Sequence, residues 1–444
     1  MLFHPLPGII STASATDIPL WALAPFALML TAIAVLPLVH GKFWEANHNK
    51  LFVALALGLP AALYLIFTGN TAPLIHTVLF DYVPFMVMLG ALFVITGGIA
   101  VTGDIEARPW VNMIFLGTGA VLASVMGTTG ASMLLIRPLL QTNKSRTLKV
   151  HTVLFFIAIA ANTGGMLTPL GDPPLFILYL RGVPFGWFFQ LWPLWLCANF
   201  LLLAIYFAVD TYFYRKEPES AIKQDIEAIT PIRISGWLNL VWAAGVVLAI
   251  AFLNAQTFPV LGANAAFGFI REAVIIGFAW LSLVLTNKEV REANRFSWHP
   301  VEEVAYLFFG IFVTMVPCLL YLEANAASLG VATATEFYYA TGLLSGFLDN
   351  TPTAVTFYTL ALAQGFAGND LVAGVPPLIL EAIAAGAVLF GGLTYIGNGP
   401  NFMVKAVAEE QGIEMPDFFA YMYKFSLIIL LPLFILLQLL LIRG

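Results

Sequence analysis

Four short polar segments interrupt long apolar runs, and their residues could bind an ion or a small anion. They are the first turn (126–132, MGTTGAS), the first break (161–176, ANTGGMLTPLGDPPLF), the second turn (348–353, LDNTPT) and the second break (391–402, GGLTYIGNGPNF). Their candidate ligands are Thr128, Thr129, Asn162, Thr163, Thr168, Asp172, Asp349, Asn350, Thr351, Thr394, Asn398 and Asn401. Hydroxyl, amide and carboxylate oxygens suit sodium, whereas free N–H groups at helix starts suit an anion.

Asp349 has the most specific chemistry among these candidates. A carboxylate near the middle of a bilayer is costly, so burial favours its protonated form and a bound cation favours its charged form. One site that holds either a proton or a sodium ion is sufficient for antiport, if the empty charged site cannot reorient. The alternative is that Asp349 or Asn350 only caps the helix that begins near Pro352. The same alternative applies to Asp172, because Asp-Pro-Pro is a favourable helix start.

Three further polar groups have two interpretations each. Arg137, in the second arm of the first hairpin, could neutralise a substrate carboxylate, or its long side chain could extend to water or form a structural pair. Asn398 and Asn401 could bind an ion or simply satisfy a turn. His151 could respond to pH or lie in a solvated loop.

The composition bounds the class of protein. Of 444 residues, 60% are hydrophobic and 10% are charged, whereas a soluble domain has about 25% charged residues. Apolar runs of the length that spans a bilayer recur throughout, which predicts an all-α polytopic membrane protein. The sequence has no nucleotide-binding, hydrolase or zinc-protease motif, and no basic patch for nucleic acid, so we expect no enzyme and no cofactor.

The polar segments require particular helical elements around them. Glycines and prolines in the first break make a continuous helix implausible, yet apolar residues continue on both sides. Irregular backbone at membrane depth is tolerated only where protein or a cavity surrounds it. We therefore predict broken helices at about 150–181 and 377–408, and re-entrant hairpins at about 110–142 and 335–364.

The two halves of the chain repeat this order of elements. Residues 1–210 and 236–444 each hold five predicted spans and one hairpin, and a cytoplasmic linker (211–235) joins them. An odd number of crossings inverts the second half relative to the first. The basic residues support this topology, because 15 of the 19 fall in predicted inner loops. Three basic residues fall on the predicted outer side of the membrane: Arg181, Arg271 and Arg443. The remaining one, Arg137, lies in a hairpin arm.

The motifs NTGGMLTPLGDPP and LDNTPTAV resemble those of the ion transporter superfamily, and the resemblance covers nearly the whole chain. They are most similar to D-type sodium/proton antiporters, arsenite permeases and a citrate-transporter-like branch. The resemblance implies ion or substrate contact for eight of the candidates: Asn162, Thr163, Asp172, Asp349, Asn350, Thr351, Asn398 and Asn401. It also implies a homodimer whose hairpins and broken helices move together. The first turn departs from the pattern, since it has neither Asn nor Asp, which leaves Thr128 and Thr129 as weaker ligands.

The leading hypothesis is a sodium/proton antiporter of a bacterial inner membrane. Asp349 would be the shared site, Asp172 would assist, and Asn350 and Asn162 would complete the sodium ligands. The alternative is a cation-coupled citrate or dicarboxylate symporter, in which half-helix N-termini and Arg137 hold the anion. A third possibility is a receptor or membrane-embedded enzyme that has kept the fold. The expected partners are the lipid bilayer and a small ion or small-molecule substrate, with Na⁺ and H⁺ as the transported or coupling ions.

Overall fold

The chain is a helical membrane protein. Its computed structural model describes residues 18–227, 229–255, 257–262, 265–326, 329–368 and 370–442. Within those ranges, eight helical stretches are long and apolar enough to cross a membrane. Spanning a bilayer requires about 20 predominantly apolar residues. The predicted class, an all-α polytopic membrane protein, is therefore confirmed.

The first half contains three spans, a hairpin, a broken helix and a further span. Its helices are α1 (Ala24–Val39), α2 (Gly41–Glu45), α3 (Asn47–Phe67), α4 (Thr71–His76), α5 (Val83–Thr96), α6 (Pro109–Met126), α7 (Thr128–Thr142), α8 (Val150–Ile159), α9 (Pro173–Leu180) and α10 (Trp192–Tyr214). A π-helical segment, Thr77–Tyr82, joins α4 to α5. Short 3₁₀ segments lie at Leu20–Leu23, Thr163–Leu167 and Phe185–Leu191.

The second half of the chain follows α10. Its helices are α11 (Glu219–Glu227), α12 (Leu238–Phe252), α13 (Ala265–Gly268), α14 (Ile270–Leu285), α15 (Lys288–Ala293), α16 (His299–Asn325), α17 (Ala334–Phe347), α18 (Asn350–Ala363), α19 (Pro377–Phe390), α20 (Gly399–Glu410), α21 (Phe418–Tyr421) and α22 (Leu431–Leu441). The π-helical segment Met422–Leu430 joins α21 to α22, and 3₁₀ segments lie at Pro259–Gly262 and Gly391–Leu393. The inverted orientation of the two halves, their re-entrant hairpins and the domain boundaries stay predictions.

Both hairpin turns are shorter than we predicted. Gly127 alone separates α6 from α7, and its φ of 82° is a conformation that favours glycine. Thr128 and Thr129 therefore lie in the first turn of a helix rather than in a loop. Likewise, α18 begins at Asn350, directly after Asp349.

A two-stranded ribbon is the main element that sequence patterns missed. Strand β1 (Ala100–Asp104) pairs antiparallel with β2 (Thr230–Ser235), which lies in the predicted linker. β1 begins four residues after the apolar helix α5 ends, and Ala100 and Val101 continue that apolar run without a polar boundary. The ribbon joins the segment after α5 to the segment before α12, so it ties the two halves together.

Two of the three basic residues that fall on the predicted outer side are partly buried and form ion pairs. Arg181 contacts Asp81 at 2.7 Å, and Arg271 pairs with Glu272. Neither is a free loop charge, which explains why they are exceptions to the positive-inside pattern. Arg443 lies outside the described residues.

Candidate functional site

Asp172 lies at the centre of the polar segments. Its side chain is fully buried, and its carboxylate accepts hydrogen bonds from Thr128 Oγ1 at 2.8 Å, Asn350 Nδ2 at 2.7 Å and Asn398 Nδ2 at 3.0 Å. The residue occupies the N-cap position of α9, as predicted, but its side chain makes no capping hydrogen bond. The carboxylate therefore connects both turns and the second break instead of stabilising its own helix.

Asparagine side chains join the two breaks. Asn398 occupies the N-cap position of α20, as Asp172 does for α9, and it also donates to the carbonyl of Ala161 at 3.0 Å. Asn162 donates to Asn401 Oδ1 at 2.7 Å. Asn401 in turn donates to two main-chain carbonyls of its own break, at 2.8 and 2.9 Å. These amides satisfy backbone groups that the broken helices leave without helical partners.

Asp349 lies beside this centre with a different set of contacts. Its side chain is half-buried and accepts a hydrogen bond from the backbone N–H of Thr351 at 3.0 Å, so it caps α18. The capping alternative thus describes its side chain in this conformation, while an ion-binding role stays a prediction. Asp349 directly precedes Asn350, whose amide donates to the Asp172 carboxylate at 2.7 Å. Thr351 Oγ1 donates weakly to Asn350 Oδ1, at 3.4 Å.

A cavity of about 30 Å³ adjoins the first turn and the start of α9. Thr128, Thr129 and Gly130 line it from α7, and Leu170 and Pro173 line it from the first break. The rest of the lining comes from the end of α6, the turn and α5: Met126, Gly127, Met88, Leu89, Leu92 and Phe93. None of its described lining residues is charged. The volume is about that of one water molecule.

Three residues that the sequence reasoning missed hold the first break in place. Thr163 donates its hydroxyl to Asn199 Oδ1 on α10, at 2.8 Å. The carbonyl of Gly164 accepts hydrogen bonds from Ser124 Oγ at 2.5 Å and from Trp195 Nε1 at 3.0 Å. Asn199 is a buried amide within an apolar span, and that is a sequence signal for a functional or structural polar contact.

The second break is held by a similar arrangement. The hydroxyl of Tyr421 donates to the carbonyl of Gly392 at 2.7 Å, much as Trp195 donates to Gly164. Each aromatic donor comes from the span that follows its broken helix. Thr394 donates to the carbonyl of Gly346 at 2.6 Å and Thr168 donates to that of Ser124 at 2.5 Å, so these two threonines fasten each break to a hairpin arm.

Arg137 contacts a different part of the molecule. Its Nη1 donates to the carbonyl of Asn294 at 3.4 Å, in the segment between α15 and α16. Arg137 lies nine residues after Thr128 on the same helix, which is about 13 Å along the axis. The alternative that it serves a structural contact describes this conformation, and anion binding by Arg137 stays a prediction.

Comparison with known proteins identifies similar membrane proteins. A family model described as "Putative citrate transport" matches residues 15–442. A Mycobacterium tuberculosis protein named as an uncharacterized transporter is 26% identical over 392 residues, which covers 82% of this chain and 87% of that protein. An inner membrane protein of Escherichia coli is 26% identical over 219 residues, covering 45% of this chain and 56% of its own length.

Proposed function

The chain belongs to the family described as "Putative citrate transport", and within this family of transporters, which are not enzymes, we propose that it exchanges sodium ions for protons. The main support for this proposal is the fully buried carboxylate of Asp172. Three neutral donors contact it, and it makes no capping hydrogen bond to its own helix. A carboxylate at membrane depth is stabilised by a proton or by a cation. Asp172 is therefore the shared site in this proposal, and Asp349 is its neighbour rather than the primary site.

The coupling follows from the charge of the site. With sodium bound, the Asp172 carboxylate is charged and paired. With a proton bound, it is neutral. The empty charged site is the state with an uncompensated buried charge, which is the costly one to move. The hydroxyl of Thr128 and the amide of Asn350 each carry an oxygen that can turn towards a cation, because both groups donate and accept.

The electrostatics of the site favour a cation over an organic anion. The N-termini of α9 and α20 meet at Asp172 and Asn398, and two helix N-termini attract negative charge. Asp172 already supplies that charge. A citrate carboxylate placed here would be repelled by it, and the described side chains that bond to Asp172 are all neutral. Sodium, in contrast, can be coordinated directly by the carboxylate oxygens.

Citrate symport is the second candidate, because the family description favours it. In that mechanism Arg137 would hold the anion. We expect Arg137→Gln to change sodium/proton exchange by less than about twofold, since the guanidinium contacts Asn294 and not the site. Purified protein in liposomes would be tested with radiolabelled citrate alongside the pH assay. Saturable citrate uptake that disappears in Arg137→Gln would favour the symporter.

The affinity for sodium should depend on the residues that hold the first break. We expect Asn199→Leu to raise the KM for sodium about tenfold, because loss of a buried hydrogen-bond partner costs about 1–3 kcal/mol. Cys197→Ala, on the same helix, is the matched control and should leave KM within twofold. An unchanged KM in Asn199→Leu would show that the Thr163–Asn199 contact does not position the site.

The transport assay uses sealed liposomes with an internal pH dye and an imposed proton gradient. Sodium, lithium, potassium and citrate are added outside in turn. We expect sodium or lithium to collapse the gradient and citrate to leave it intact, and the reverse result would exclude antiport. A bacterial inner-membrane location, supported by the name of the Escherichia coli relative, and a homodimer, which rests on resemblance, complete the proposal.

A further inference from the structure

The helix α9 connects Asp172 to a partly buried ion pair. Arg181, the C-cap residue of α9, donates from Nη2 to Asp81 Oδ2 at 2.7 Å. The side chain of Arg181 is 16% exposed and that of Asp81 is 1% exposed. Asp81 belongs to the π-helical segment between α4 and α5, outside the two hairpins and the two broken helices. Since α9 has eight residues and a length of about 12 Å, the ion pair and Asp172 lie at opposite ends of one short rigid element.

Other contacts fasten the same end of α9 to neighbouring helices. Tyr179 donates its hydroxyl to the carbonyl of Ile250 on α12 at 2.7 Å, and Arg271 on α14 donates to that hydroxyl at 3.3 Å. The carbonyl of Arg181 accepts a hydrogen bond from Tyr358 on α18 at 3.3 Å. Because α9 is held at both ends, it cannot shift as a unit without breaking one set of these contacts.

We propose that the Arg181–Asp81 pair is a positioning pair that anchors α9, and that this pair opens when Asp172 becomes accessible from solution. The inference rests on the proposed transport through Asp172. Asp172 is fully buried in this conformation, so some element beside it must move before an ion can reach the carboxylate. Among the described helices, α9 is the one that carries Asp172 at one end and a charged contact to the surrounding spans at the other.

The geometry of the pair fits a contact that opens. Only Nη2 of Arg181 reaches the carboxylate, and Nε of Arg181 is buried without a hydrogen-bond partner in the described part of the chain. Arginine–carboxylate pairs are frequently bidentate, with two parallel hydrogen bonds. A pair joined through one nitrogen loses fewer hydrogen bonds when it separates. It can therefore hold α9 in place in this conformation and still separate when α9 moves.

The test measures accessibility beside the site rather than ion flux. A single reporter cysteine, Leu89→Cys on α5, is placed at the wall of the small cavity in a chain with Cys197 and Cys318 replaced by alanine. Its labelling rate with a maleimide is followed in liposomes. We expect Arg181→Gln to raise that rate at least fivefold, because α9 loses its anchor.

The matched control is a partly buried ion pair that does not involve α9. Lys50 on α3 contacts Glu303 on α16 at 2.8 Å. Lys50→Gln should leave the labelling rate within twofold of the reference. The exchanged pair, Arg181→Asp with Asp81→Arg, should return the rate towards the reference value, which loss of folding would not do.

A second measurement covers the case in which Arg181→Gln fails to fold. With Arg181→Cys and Asp81→Cys, a bifunctional thiosulfonate cross-linker that spans the two positions should slow sodium exchange at least tenfold, and reduction should restore it. Unchanged labelling in a folded Arg181→Gln protein, or full exchange in the cross-linked protein, would overturn the proposal. If labelling responds as expected while sodium never collapses the pH gradient, the proposal that Arg181 anchors α9 is supported and the proposal of sodium exchange is wrong. If sodium exchange is present and none of these changes alters its rate or the labelling rate, only the proposal that Arg181 anchors α9 is wrong.

Discussion

Asp172→Asn is expected to reduce sodium/proton exchange by about 100-fold or more, which corresponds to about 3 kcal/mol. The substituted amide has nearly the same size as the carboxylate, but it holds neither a proton nor the charge that pairs with sodium. Its NH₂ group would also face at least one of the three donors that now converge on Asp172. The measurement is the initial rate of gradient collapse in liposomes, at equal amounts of reconstituted protein.

Two further substitutions serve as comparisons in this experiment. Asp104→Asn changes a buried acid on β1, away from both turns and both breaks, and it should leave the rate within twofold. Asp349→Asn should reduce the rate by less than about tenfold, since that carboxylate caps α18 in this conformation. If Asp349→Asn abolished exchange while Asp172→Asn retained it, Asp349 would be the shared site, as the sequence motif alone suggested.

The location of the site could be predicted from the sequence, because backbone chemistry marks it locally. Glycine and proline interrupt the helices at both breaks, and Asp172 before Pro173 marks the start of α9. The sequence does not show in the same way which candidate residue lies at the centre of the site. The three donors to Asp172 are 44, 178 and 226 positions away in the chain. Only the folded packing of both halves shows that they converge on this carboxylate.

The ribbon was missed for a related reason. β1 follows an apolar span without a polar boundary, and its partner β2 lies about 130 residues later in a segment that reads as a polar linker. β1 (AVTGD) carries no alternation of apolar and polar residues, which is the local signal for a half-buried strand, and β2 alternates over only four residues, Ile232 to Ser235. Pairing across that distance is decided by tertiary contacts. The same holds for Asn199, whose partner Thr163 is set by the packing of α10 against the first break.

Gly171→Ala is expected to abolish exchange, because the first break closes tightly on itself beside Asp172. A Cβ atom at Gly171 would lie 2.0 Å from the carbonyl oxygen of Gly165 and 2.6 Å from its carbonyl carbon. Both are backbone atoms, so no side-chain rotation can relieve the clash. The two segments of the break that meet at Gly165 and Gly171 must therefore move apart. Gly171 directly precedes Asp172, and the carboxylate would move with it. We expect at least a 100-fold lower exchange rate in protein that still inserts into the membrane.

Gly399→Ala is the matched control, because a Cβ atom there meets no other atom within 4 Å. Gly399 begins α20 at the second break, so it resembles Gly171 in its setting but not in its packing. Exchange within about threefold of the reference is expected. Size-exclusion profiles and thermal melts of both variants in detergent separate a displaced site from a failure to fold. Normal exchange in Gly171→Ala would mean that the break can widen without moving Asp172, and the position of that carboxylate would then be set by its three donors rather than by the backbone that carries it.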